Sequence, residues 1–356
     1  MINIAHGNLL KADVDALVNT VNTEGVMGKG IALQFKRAYP QAYSLYRHAC
    51  QAGDVKVGAM HVVDMGTMGG GARWIINFPT KGHWKAKSRI EDIKAGLVAL
   101  RQTIMDLGIR SIAVPPLGCG NGGLNWSAVE PLIRSELGSI EGVDVQVYSP
   151  DGAPAADEMP NRTAKPAMTM GMAAIIALVD KYKSGLLEPF VRLIEVHKLM
   201  YFLQEAGEPL KLRYEEGIYG PYSTNLRHVL DRMEGHYVTG FGDGQDTPIK
   251  CIDLVPGYED QALDVLEGKL DTQARMERVA QLIEGFEDPF GMELLGSVHW
   301  VMTHHRDAVD SVDVAVKRVH EWNPRKQTLM KPEHIAKGWR RLKDHRWDVE
   351  SRSAIR

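Results

Sequence analysis

Cysteine is scarce in this 356-residue chain, and the three present, Cys50, Cys119 and Cys251, form no CxxC pair and no metal-ligand spacing. That excludes a disulfide framework and a spaced zinc site, and it makes a reducing cytoplasm the expected compartment. No apolar run reaches the roughly 18 residues that a bilayer span requires. The opening MINIAHGNLL lacks a charged-then-apolar leader pattern, so no cleaved signal is expected. Internal repeats and low-complexity tracts are absent. No GK[ST] phosphate loop occurs, and no clean GxGxxG follows the first strand. What is present is a hydrophobic fraction of 44%, ample for packed cores, at about twice the usual domain length. Two domains are therefore expected.

Charge is distributed unevenly. Residues 1–155 carry 15 basic and 13 acidic residues, 205–296 carry 8 and 19, and 325–346 carry 8 and 2. An acidic stretch of that kind either serves solubility or meets a basic partner, such as a protein that itself binds nucleic acid. The basic stretch touches DNA or balances the acidic face.

Along residues 1–150, strand-like and helix-like runs alternate. INIAHGNLL opens as a short strand, and ALVNTVN reads as a buried one. GIALQFKRAYPQAYSLYRHACQAG has helical spacing, with Pro40 set to kink or divide it. AMHVVDM and RWIINFP are β-rich and close enough to pair. RIEDIKAGLVALRQTIMDLGI places Ile90, Ile93, Leu97, Leu100 and Ile104 at three- and four-residue steps. SIAVPPLG is an apolar strand, a helix runs from Trp126 to about Leu137, and VDVQVYSP closes the unit. The alternation predicts a three-layer α/β domain with both sheet faces covered. A Pro- and Ala-rich linker is expected over 151–169, and a mainly α-helical second domain over 170–356. There, PFVRLIEVHKLMYFLQEAG puts Phe190, Leu193, Ile194, His197, Met200 and Tyr201 on one face and ends at Gly207. GPYSTNLRHVLDRMEG offers Ser223 or Thr224 as the N-cap of a further helix.

Two glycine-bearing stretches follow strands and precede helices: VNTEGVMGKGIALQF, with Gly25, Gly28 and Gly30, and PPLGCGNGGLNW, residues 115–126. Each alone is a tight loop that needs positive φ or a seat for phosphate at a helix start. Together, at the carboxyl ends of strands in one sheet, they favour a shared crevice for a diphosphate. Between them lies NFPTKGHW, where Pro79 stiffens the approach and Gly82 frees the exit around Lys81. Asn22 ends its strand, where its amide either holds a sugar hydroxyl or caps a turn. His83 is a lesser candidate because a histidine beside Trp84 tends to pack. Cys119 has no paired histidine and reads as a small loop residue.

HGNLLKADVDALVNTVNTEGVMGKGIALQFKRAYP, NFPTKGHW and PPLGCGNGGLNW, in that order, resemble the macrodomains, an ADP-ribose-binding α/β/α fold. The likeness is to the branch that reverses ADP-ribosylation with a lysine, and within it to antitoxins that remove ADP-ribose from DNA bases. It covers residues 1 to about 150. It implies that Lys81 is catalytic, with Thr80 and His83 beside it, and that Asn22 holds the distal ribose. Asn8 and Leu9 would meet the adenosine end; many macrodomains carry aspartate at the Asn8 position. Met27, Gly28, Lys29, Gly30 and Ile31 would cradle the diphosphate from one side. Pro116, Leu117, Gly118, Cys119, Gly120, Asn121, Gly122 and Gly123 would do so from the other. No cofactor or metal is implied. The implied partners are ADP-ribosylated DNA as substrate and a cognate DNA ADP-ribosyltransferase toxin, with no membrane. A related lysine-dependent protein hydrolase pairs its lysine with an aspartate in the second glycine loop, and GCGNGGLNW has no acid there.

HKLMYFLQEAG followed by EEGIYGPYS resembles the Panacea-type helical antitoxin domains, whose role is to grip a toxin; aromatic packing of a helical core accounts for the same residues. Three functions compete: a DNA ADP-ribosyl glycohydrolase, an ADP-ribose reader without hydrolysis, and a hydrolase of ADP-ribosyl esters on protein acids. A lysine at the scissile end favours an enzyme, acting as a nucleophile or as a charge that assists the leaving base.

Overall fold

The computed structural model describes residues 1–66, 71–150, 154–155, 158–185, 191–242, 244 and 247–348. Two compact units divide the chain: Met1–Ala164 with Gly242–Gln245, and Lys165–Phe241 with Asp246–Arg356.

The first unit runs β1 (Ile2–Ala5), β2 (Ala16–Asn22), α1 (Gly30–Ala38), α2 (Pro40–Ala52), β3 (His61–Asp64), β4 (Trp74–Lys81), α3 (Ile90–Asp106), β5 (Ser111–Val114), α4 (Trp126–Leu137) and β6 (Asp144–Tyr148). Its six strands lie in the order β1-β6-β5-β2-β4-β3, parallel except for β3. Alternate residues of β2 and β4 explain why both read as near-continuous apolar runs. Ala16, Val18, Ile76 and Phe78 join the α3 and α4 side chains Ile93, Leu97, Leu100, Val129 and Ile133 in one core. Leu17 and Ile75 join Phe35, Ala38 and Ala42 of α1 and α2 in another. With both faces covered, strand register is fixed, since a one-residue slip would turn each set to the wrong side. Pro40 divides the long helical run as expected, taking the first turn of α2, where its missing N–H has no partner to lose.

The expected linker lies partly outside the described residues, at 151–153 and 156–157. Its described end is held: Arg162 N–H donates to the Arg37 carbonyl at 2.8 Å, and its guanidinium sits over Tyr39.

The second unit is mostly helical. It comprises α5 (Met170–Ser184), β7 (Val191–Arg192), α6 (Leu193–Glu205), β8 (Tyr214–Gly217), β9 (Gly220–Ser223), α7 (Leu226–Met233), β10 (Val238–Thr239), β11 (Cys251–Leu254), α8 (Glu259–Leu266), α9 (Leu270–Ile283), α10 (Pro289–His304), α11 (Asp307–Asp310), α12 (Val312–Trp322), α13 (Pro324–Leu329) and α14 (Pro332–Asp344). Two sequence expectations fail here. α6 has no solvent face, being buried continuously from Leu193 to Leu203, and Phe190 lies outside the described residues. Neither Ser223 nor Thr224 caps α7. Asn225 takes the cap position, and the Ser223 hydroxyl instead donates to its Oδ1 at 2.5 Å, because Ser223 is already committed to β9. Among the described residues no helix is long and apolar enough to cross a membrane.

Candidate active site

Lys81 is the last residue of β4 and not part of a loop. β4 is paired with β2 as far as Lys81 but with β3 only as far as Asn77, so Pro79 can sit in the strand: no second neighbour asks for its N–H. The register then shifts. Val21 faces Pro79, and Asn22 faces Lys81, so Thr80 is the extra residue of a bulge. An irregularity of this kind re-aims the next side chain, and bulges gather beside active sites for that reason. Buried Thr80 stays useful, its hydroxyl donating to the Val21 carbonyl at 3.4 Å.

The Lys81 amine donates to two carbonyls, Ala86 at 3.1 Å and Asn121 at 3.2 Å. The chain leaving β4 therefore folds back over its own lysine, and the second glycine stretch closes the other side. Burial lowers the Lys81 pKa from its ordinary value, since removing water disfavours the ammonium.

The two glycine stretches meet here. Gly30 has φ +62°, and a Cβ on it would stand 3.0 Å from the Asn121 amide nitrogen, so glycine permits both the turn and the approach. Lys29 takes the N-cap position of α1, Met27 is buried, and Gly28 is exposed. In the second stretch, Cys119 N–H donates to Pro116, Gly123 N–H to Gly120 and Leu124 N–H to Gly118. Among the described residues the N–H groups of Gly118, Gly120, Asn121 and Gly122 donate to no protein acceptor. Such a row, with the α1 N-terminus opposite, suits an anion. Leu117 is fully buried below it. Burial pushes the Cys119 thiol up to about 11, which removes it as a nucleophile at neutral pH.

Asn22 is neighbour to Lys81 across the strands, and its side chain caps the turn that follows: Oδ1 accepts from Glu24 and Val26 N–H, and Nδ2 donates to the Val26 carbonyl at 2.6 Å. His83 and Trp84 do not pack into the interior; they stack on each other at 5.7 Å while exposed, and His83 faces Glu24 at 3.6 Å. Asn8 and Leu9 make their contacts with other residues. The Asn8 amide caps the turn at Leu10 and donates to the Glu158 carbonyl, and Leu9 is buried in the core with Phe35.

Ser88 went unnoticed in the sequence. It is buried, accepts no partner at Oγ, donates its N–H to the Gly122 carbonyl, and fills the space where a Cβ on Gly118 or Gly122 would fall. Nothing in KAKSR announces it. The Asn19–Asn77 amide pair at 3.1 Å, continued to His61, is a second unannounced feature; it holds β2 to β4 just below the site.

A lysine at a strand end, two glycine loops and a six-stranded mixed sheet between helical layers define a macrodomain. The family model for the Macro domain matches residues 18–133. A DNA ADP-ribosyl glycohydrolase of Thermus aquaticus is 47% identical over 331 residues, 93% of this chain and 90% of that protein. The chain belongs to the DNA ADP-ribosyl glycohydrolases, a family of hydrolases. The solved macrodomain of Mycobacterium tuberculosis DarG is 53% identical over 42% of this chain and 99% of its own, with a TM-score of 0.42. A DNA ADP-ribosyl transferase–DNA ADP-ribosyl glycohydrolase fusion protein of Thermosipho africanus is 35% identical over 163 residues, 42% of each chain.

Proposed function

We propose that this chain hydrolyses the N-glycosidic bond between ADP-ribose and a DNA base, acting as the antitoxin to a DNA ADP-ribosyltransferase of the DarT type. The observation that carries the chemistry is the Lys81 amine, held between the Ala86 and Asn121 carbonyls beside Asn22. In this reading the diphosphate lies between the N–H groups of Gly118, Gly120, Asn121 and Gly122 and the start of α1, the adenosine end runs toward Asn8 and Leu9, and Asn22 meets the distal ribose. Diphosphate binding away from the scissile bond orients the anomeric carbon on the amine.

Burial makes more of the Lys81 amine neutral at a given pH than for a solvated lysine, and the neutral amine is the nucleophile. Nζ bonds to the anomeric carbon as the bond to the base nitrogen breaks, and the base takes up the proton that nitrogen gives up. Water then replaces the amine and frees ADP-ribose. The test is release of ADP-ribose from a singly modified DNA oligonucleotide by native protein and by Lys81→Ala. Native protein clears the label, and the variant binds without clearing it; equal clearance by both removes Lys81 from the chemistry. The Lys81 glycosylamine opens to an imine by passing its remaining N–H proton to the ring oxygen, so borohydride quenching during turnover reduces the C=N bond and leaves an ADP-ribosyl adduct on Lys81, detected by mass spectrometry. Its absence moves Lys81 from nucleophile to charge-assisting acid.

A second part of the reading is direct masking of the toxin by the second unit. Its support is the acidic excess of residues 205–296 and the fusion of both activities in the Thermosipho africanus relative. The full-length Lys81→Ala variant, unable to reverse the modification, still stops the transferase from labelling DNA, and the block weakens with salt. A variant that leaves labelling untouched refutes masking.

A further inference from the structure

The stretch 81–89, KGHWKAKSR, holds Lys81, Lys85, Lys87 and Arg89 and no acid. Residues 82–87 are exposed throughout, yet the segment is anchored at both ends: the Ala86 carbonyl holds the Lys81 amine, and buried Ser88 holds the Gly122 carbonyl. Trp84 is 46% exposed and, among the described residues, is the one exposed side chain of the Phe, Tyr and Trp type. The indole has the His83 ring and the Lys85 ammonium, 4.9 Å from its centroid, as neighbours. The acidic neighbours are accounted for. Glu24 faces His83, while Glu91 and Asp92 both face Arg89. Among the described residues, that leaves Lys85 and Lys87 as the loop's ammonium groups clear of carboxylates.

We propose that this loop is the DNA-reading element of the site: Trp84 stacks the nucleotide next to the modified base of a single strand, and Lys85 and Lys87 meet its phosphates. The proposal rests on the glycohydrolase reading above. Because the loop returns to the Lys81 amine through the Ala86 carbonyl, its tip borders whatever is attached at the scissile end. A base attached to a strand brings unpaired neighbours and phosphates to that spot. An indole face flanked by ammonium groups matches both, since any unpaired base offers a π-face. An acidic peptide would use the lysines but gives the indole no flat partner.

The experiment compares kcat/KM on an ADP-ribosylated single-stranded oligonucleotide with that on the ADP-ribosylated nucleoside, for native protein and Trp84→Ala. Stacking worth roughly 1–3 kcal/mol per base predicts that the oligonucleotide-to-nucleoside ratio falls about 5- to 150-fold, and Trp84→Phe returns most of it. Lys85→Ala and Lys87→Ala each make the plot of log affinity against log salt shallower by about 0.7. An unchanged ratio overturns the proposal, as does an ADP-ribosylated acidic peptide that depends on Trp84 as strongly. If native protein cleaves neither substrate, the hydrolase reading fails on its own, and binding of the labelled oligonucleotide decides: affinity that falls with Trp84→Ala keeps the platform, and affinity that does not removes it.

Discussion

Gly96 sits in the middle of α3, where exchanging glycine for alanine ordinarily stabilises by about 1 kcal/mol. The structure reverses that expectation. A Cβ on Gly96 would lie 2.5 Å from Phe78 Cε1 and 3.1 Å from Cε2, with Cζ closer still, against an ordinary carbon contact of about 3.5–4.0 Å. Phe78 is fully buried among Ile93, Leu97 and Val114, so its ring cannot retreat the roughly 1 Å needed without moving β4. Overpacking of this kind costs about 1–3 kcal/mol, and two ring atoms overlap, which points to the upper end. After subtracting the helical gain, Gly96→Ala loses about 2 kcal/mol, or about 4–8 °C in the melting of a unit this size. Amide exchange along α3 in the full chain reads that stability without interference from the second unit. The same exchange made on a Phe78→Leu background, where the ring is gone, becomes stabilising. A native-background Gly96→Ala that melts higher than the parent refutes the packing argument.

A Cβ on Gly122 would overlap the Gly118 carbonyl and the Ser88 hydroxyl, one residue from the carbonyl that holds Lys81, so Gly122→Ala lowers kcat/KM on modified DNA by about 100-fold; a variant within threefold of native shows that the loop yields. Nucleophilic Lys81 requires that kcat/KM rise with pH through a pKa below the ordinary lysine value, and a rate that falls as pH rises over that window excludes it. In the second unit, burial first of all holds His197 at about 3 and His299 at about 4, both below the ordinary 6.5. The unfolded chain therefore takes up protons that the folded form refuses. The stability these two histidines contribute is complete above about pH 7 and is lost as pH drops from 6.5 toward 4, by about 1.4 kcal/mol per unit for each histidine; a flat urea midpoint over that range contradicts it. Glu293 accepts from buried Lys326 at 2.7 Å and from Arg325 at 2.6 Å, so Glu293→Ala strands cations and costs about 3–5 kcal/mol, whereas Glu293→Leu with Lys326→Met recovers most of it. Equal losses in the single and double variants, measured by urea unfolding, would show that the ion pair is not the cause.

The sheet and its site were legible because their signals are local. ALVNTVN and RWIINFP are apolar runs of strand length, and the two glycine stretches directly follow strands. What escaped depends on partners far along the chain. The bulge at Thr80 exists only once β2 and β4 are paired, so Lys81 reads as a loop residue when the strand continues through it. α6 looks one-faced because Glu195 and Lys198 fall off the face that carries His197, yet all three are buried. Tyr182 donates to Glu195 at 2.6 Å, Tyr222 stacks on His197, and Lys198 donates to the Pro221 carbonyl at 2.9 Å. Those partners come from α5 and β9, and no spacing within the helix reveals them. His83 and Trp84 escaped for the opposite reason: aromatic neighbours suggest packing, and only the fold shows that they face water.

Gly82 marks a boundary between two kinds of chain. Up to Lys81 the backbone is tied into the strand ladder, and from His83 to Lys87 the side chains stand in solvent. In the proposed reading, the candidate amine thus ends the strand and the segment offered to the leaving partner begins one residue beyond it. Under the proposed reading, side chains at 83–85 and 87 set what is accepted, while the Ala86 carbonyl stays to hold the amine. On that reading the sheet need not be rebuilt for one chemistry to take a different leaving partner.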